Sequence, residues 1–128
     1  TMTLKETLCQ ALEQLGANSS DYEFDDHSTI VMSFDDVGDI YLDPRDGEQV
    51  WLWGSIEEIG EQARSVLAEP LLGEVIRPVA HWDAGAMVLR EDGRVGGMLQ
   101  SEYARDPSRL AEALQDFHQC LARMQAIR

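Results

Sequence analysis

Three histidines, two cysteines and twenty-four carboxylates are the residues of this chain that could do chemistry. His27, His81 and His118 stand far apart, and no His, Cys and acid cluster has metal-ligand spacing. His27 lies at a strand entrance beside Asp25 and Asp26, where an imidazole bonds nearby backbone more readily than it serves as a base. His118 falls on a flank of the last predicted helix. Asp43, Asp46 and Glu48 superficially resemble a calcium loop but lack its alternating ligands and its later bidentate acid. Ser28 follows His27 without the flanking glycines of a nucleophile elbow. Asp35-Asp36 is a carboxylate pair that two solvated turn acids explain. No glycine-rich loop is built to cradle phosphate. Cys9 and Cys120 lie far apart outside any Cys-x-x-Cys pair, the pattern of free thiols in a reducing compartment. These residues argue against an enzyme, and no cofactor or metal is expected.

The acids act through their number instead. The net charge of −14 repels nucleic-acid phosphates and anionic membranes. Ten carboxylates fall between Asp21 and Glu48, against one base, Arg45. Such a surface keeps a protein soluble despite an exposed apolar patch, and it suits a basic partner. At 128 residues and 44% hydrophobic content the chain predicts a single domain over 1–128 with a real core. No apolar run approaches the roughly 20 residues that span a bilayer. Thr1–Glu6 lacks the basic start and apolar stretch of a signal peptide, so a cytosolic location is the expectation.

Apolar periodicity predicts the frame. Leu4, Leu8, Ala11, Leu12 and Leu15 recur at helical spacing over Thr3–Gly16, with Gly16 at the C-terminal cap position. Ser28–Phe34, Asp39–Leu42 and Gln49–Trp53 read as strands of an antiparallel meander, turned at Asp35–Gly38 and Pro44–Gly47. Ser55 and Glu58 form a capping box that predicts a helix over Ser55–Glu69, ended or kinked by Pro70. Leu71–Ala84 is apolar and fits a short helix, an irregular strand or a covering loop. Ala86–Arg90 and Arg94–Gln100 flank Glu91-Asp92-Gly93 as a hairpin, and Gly96-Gly97 marks a bulge or a close backbone approach. Asp106-Pro107 opens a last helix over Pro107–Ala126, with Leu110, Leu114, Phe117, Leu121 and Met124 on one stripe. The fold class is α+β: an antiparallel sheet of about five strands with three helices, ordered α-β-β-β-α-β-β-α.

Two of these strands are apolar on both faces. Ile30, Met32 and Phe34 alternate with Thr29 and Val31, and Val50 and Leu52 alternate with Trp51 and Trp53. A sheet with one wet face shows polar residues at every second position. Either helices cover both faces, or one apolar face awaits a partner.

Asp26-His27-Ser28-Thr29-Ile30-Val31 entering the first strand and Val50-Trp51-Leu52-Trp53-Gly54 in the third carry a family likeness. Leu114-Gln115-Asp116-Phe117 in the final helix adds to it more weakly. In these segments the chain resembles the small acidic effector chaperones of bacterial type III secretion systems, most closely the class IB, multi-effector chaperones of invasion systems. The likeness is dense from Tyr22 to Gly54. It implies a secretion-chaperone fold in the bacterial cytoplasm and a role in protein transport and virulence. It also implies a homodimer without catalytic activity, cofactor, nucleic-acid partner or membrane insertion. The partner it implies is the N-terminal segment of secreted effector proteins, kept unfolded and presented to the export apparatus, with the secretion ATPase as a further partner.

For effector binding the candidate residues are Leu8, Leu12, Ile30, Met32, Phe34, Ile40, Leu42, Val50 and Leu52, with Trp51 and Trp53 as the alternative face. For the dimer they are Gly60, Val66, Leu71, Leu72, Val75, Ile76, Val79 and Trp82, because that tract is too apolar for a free loop. The competing function is an acidic immunity or inhibitor protein that occludes the basic site of a toxin or nuclease.

Overall fold

A computed structural model describes residues 2–17, 28–45, 49–56, 65–66 and 68–127. Helix α1 (Leu4–Gln14) starts at Thr3, whose hydroxyl accepts a hydrogen bond from the Glu6 N–H. It stops where Gly16 takes a left-handed φ of 89°. The Gly16 N–H then reaches the Glu13 carbonyl, and the Ala17 N–H reaches that of Leu12. That paired closure is the Schellman stop that the glycine at this position predicts.

Strands β1 (Ile30–Phe34), β2 (Gly38–Arg45) and β3 (Gln49–Ser55) form the expected meander. With β4 (Val88–Leu89) and β5 (Arg94–Met98) they make a five-stranded sheet in the order β1-β2-β3-β5-β4, every pairing antiparallel. Its register aligns Ile30, Leu42, Leu52 and Gly97 in one transverse row. The hairpin turn is held by the Arg94 N–H donating to Asp92 Oδ1, with Gly93 at a φ of 86°. The glycine pair in β5 marks a close approach. A Cβ on Gly96 would lie 1.9 Å from the Leu52 carbonyl oxygen, and one on Gly97 would lie 3.1 Å from the Trp82 ring.

Two helices that follow the meander differ from expectation. Helix α2 (Ala68–Val75) runs through Pro70, which neither ends nor breaks it. Pro70 stands in the first turn, where a missing N–H leaves no helical bond unmade. Most of the predicted Ser55–Glu69 helix, with Glu58 and Gly60, lies outside the described residues. Helix α3 (Ser101–Arg105) is a single turn that no periodicity announced, since five residues are too few to repeat a pattern. Helix α4 (Pro107–Ala126) begins as predicted, with Asp106 accepting from the Arg109 N–H at 2.9 Å. No helix among the described residues is long and apolar enough to cross a membrane.

The core lies between α1, α4 and one face of the sheet. Ile30, Met32, Ile40, Leu42, Val50 and Leu52 are between 0 and 5% exposed there. Leu8, Ala11 and Leu12 of α1 and Leu110, Ala113, Phe117 and Leu121 of α4 cover them. Gly54 makes room for α4, since a Cβ would lie 2.6 Å from Leu121 Cδ1. The connection after α2 closes the β5 end. Trp82 is buried edge-on against Phe117, and the Asp83 N–H donates to the Met98 carbonyl.

Candidate binding groove

Where the core ends beyond the strands' last covered rung, it opens. A groove of about 280 Å³ is lined by Leu12, Leu15 and Ala17 from the end of α1, Met32, Ser33, Phe34 and Ile40 from the sheet, and Leu114, Gln115 and His118 from α4. Phe34 shares the inward alternation of Ile30 and Met32 but stands at the strand's last position, where it is 37% exposed. Leu15 is similarly exposed. Ser33 alternates to the opposite face, so its place in the lining means that the groove reaches the backbone of β1. That strand is outermost in the sheet. An outermost strand presents unpaired N–H and C=O groups to any extended chain laid beside it.

The rim is polar and acidic. Phe34 meets the His118 ring edge-on at 5.0 Å, and His118 Nε2 lies 3.0 Å from Asp36 Oδ1. That hydrogen bond holds the Asp36 carboxyl below the usual carboxylate range. Asp35 and Asp36 are exposed in the turn that follows β1. Among the described residues no Lys or Arg lines the groove.

The other end of the sheet is apolar in a different way. Leu72 and Ile76, at and just beyond α2, and Val88 and Leu89 of β4 are each between 44 and 62% exposed. Leu72 and Leu89 line a cavity of about 420 Å³ together with Ile56, Ala68, Leu71 and Arg90 among others. Arg123 of α4 donates to Glu74 at 2.9 Å and ties α2 to the core.

The family model for the invasion protein B family matches residues 16–93, well over half of the chain. The chain belongs to the invasion protein B family. No curated protein matches it. Family membership agrees with the type III secretion chaperone likeness of the strand segments, and the α+β fold agrees with it too. The matched span carries Met32 and Phe34 of the groove and Asp36 of its rim, together with Leu72, Ile76, Val88 and Leu89. The groove's helical walls, Leu12 on one side and Leu114 and His118 on the other, come from outside it.

The structure sorts the residues that the sequence singled out. Leu12, Met32, Phe34 and Ile40 meet in the groove. Leu8, Ile30, Leu42, Val50 and Leu52 do not reach it; they are core side chains, because α1 and α4 cover that face of the sheet. Trp51 and Trp53 stack at 5.3 Å on the opposite face, with Arg45 and Arg90 laid over their rings. Trp53 is already buried there and Trp51 half-buried. Of the dimer candidates, Val66, Leu72 and Ile76 are exposed and Val79 is half-buried. Leu71, Val75 and Trp82 are buried in the core: Leu71 and Val75 form the inward stripe of α2, one turn apart, and Trp82 packs on Gly97 and Phe117. Gly60 and His27 lie outside the described residues. Cys120 is buried and Cys9 half-buried, and both are free. Burial pushes the Cys120 thiol up to about 11, which leaves it unreactive.

Leu15, Ala17, Ser33, Leu114, Gln115 and His118 are the groove-lining residues that sequence reasoning missed, and Leu89 is among those it missed in the cavity. Periodicity puts His118 on a helix flank, and nothing in the sequence ties it to Asp36, eighty-two positions away.

Proposed function

We propose that this chain is a class IB type III secretion chaperone, a non-catalytic cytoplasmic homodimer. It binds the N-terminal segment of effector proteins, keeps it unfolded and presents it to the export apparatus. The observation that supports this most is the apolar groove beside the outermost strand. An extended segment laid along β1 satisfies its own backbone on the strand edge and seats alternate side chains against Phe34, Leu15 and Leu114. Strand addition with side-chain pockets is a general way to hold an unfolded segment. The exposed apolar patch on α2 and β4 supplies the surface for a second copy, and the net charge of −14 keeps both patches soluble.

The test is binding of N-terminal segments of the secreted proteins encoded beside this chain. Phe34→Glu should abolish binding while leaving the melting temperature almost unchanged. Binding that survives in Phe34→Glu but collapses with moderate salt favours the acidic inhibitor reading, whose partner is a folded basic surface.

A further inference from the structure

We infer that the groove selects an extended segment carrying a basic residue next to its apolar anchor, and that Asp36 is the residue that reads it. The inference rests on the proposed groove and names the chemistry of its occupant. Its basis is the charge at the groove's open end. The lining is apolar apart from Ser33, Gln115 and His118, and no cation lines it among the described residues. At the Phe34 end the chain turns through Asp35 and Asp36, both exposed. His118 fixes Asp36 in place: Nε2 sits 3.0 Å from Oδ1, and the same imidazole packs on Phe34. The carboxylate is therefore held at a set distance from the ring that anchors the apolar side chain. An extended strand advances about 3.3 Å per residue, so a long cationic side chain one or two residues past the anchor spans that gap. The overall negative charge draws such a segment in, and Asp36 sets where its cation rests.

The probe is a pair of synthetic ten-residue peptides of alternating Ile and Ser, identical except that the residue after the central Ile is Lys in one and Gln in the other. Wild type should bind the Lys peptide about threefold more tightly at low salt, the size of a well-placed but solvent-exposed ion pair. Asp36→Asn should bind both peptides alike, at the affinity of the Gln peptide. Asp83→Asn changes the net charge equally at an exposed site on the connection after α2 and should keep the Lys preference. A Lys preference that persists in Asp36→Asn, or that Asp83→Asn lowers as much, overturns the inference and leaves general electrostatic attraction. If wild type binds neither peptide, the groove reading fails and the inference falls with it. Equal binding of both by wild type overturns the inference alone.

Discussion

The two ends of the sheet expose apolar side chains for different physical reasons. At the β1 end a five-residue strand outlasts its helical cover, so Phe34 and Leu15 face each other across a groove with an acidic rim. At the β4 end the strand has two residues, and Leu72 of the helix meets Leu89 of the short edge in one cavity, with Ile76 and Val88 exposed as well. A groove along a long edge suits one narrow extended chain. A patch built half from a helix suits another folded surface, and a two-residue edge has little backbone to offer a guest strand. One sheet can thus separate the binding of a guest from pairing with a copy, provided that a rigid core lies between.

That core is the first place to break the comparison. Phe117 is 1% exposed, under both the sheet and the Trp82 connection. Phe117→Ala should lower unfolding free energy by about 3–5 kcal/mol, read by urea denaturation. If stability changes by less than about 1 kcal/mol, the two ends do not share this core.

The next effects fall on one end at a time. Phe34→Glu should weaken segment binding at least about tenfold, which is about 1.4 kcal/mol. It should leave stability within about 0.5 kcal/mol, because Phe34 is not core. Its oligomeric state by sedimentation should match wild type. Leu72→Asp should do the reverse, dissociating the proposed dimer while each protomer keeps its segment affinity. A variant at either end that removes both properties would show that the ends act as one surface.

The smallest expected effect is on pH. His81 is buried against Trp82 and Tyr103, with Nδ1 3.9 Å from Asp116 and Nε2 without a hydrogen-bond partner among the described residues. Burial holds its imidazole below the ordinary histidine value of 6.5, and the pull of Asp116 and Glu112 does not reverse this. Below that value the unfolded chain binds a proton more readily than the folded one. The stability His81 contributes is therefore whole above pH 6.5 and is lost as pH falls beneath it. Melting temperatures between pH 7.5 and 5.5 should fall less steeply in His81→Gln than in wild type. An identical slope would mean that His81 takes up its proton at the same pH folded and unfolded, so that burial does not hold it neutral.

Most of the frame was legible because its signals are local. Thr3 and Gly16 bound α1, Asp106-Pro107 opens α4, and the Asp-Gly turn sets the β4–β5 hairpin. The site was less legible. Alternation groups Ile30, Met32 and Phe34 on one face, but it carries no sign that tells a covered face from an open one. Phe34 differs from Ile30 only by its place along the strand relative to α4, which is a tertiary fact. The pairing of Asp36 with His118 is of the same kind. At the other end, Leu71 and Leu72 are adjacent and equally apolar, yet a helix turns the first inward and the second out. Without a secure helix around Pro70, nothing in the composition separates them.

Amide hydrogen exchange with and without a bound effector segment tests the central claim most directly. A segment added along the groove should slow exchange in β1, Ile30–Phe34, and in the α1 end around Leu15, while Val88–Leu89 is unchanged by the segment. Protection confined to β4 and α2, with β1 exchanging as in the free protein, would contradict the claim.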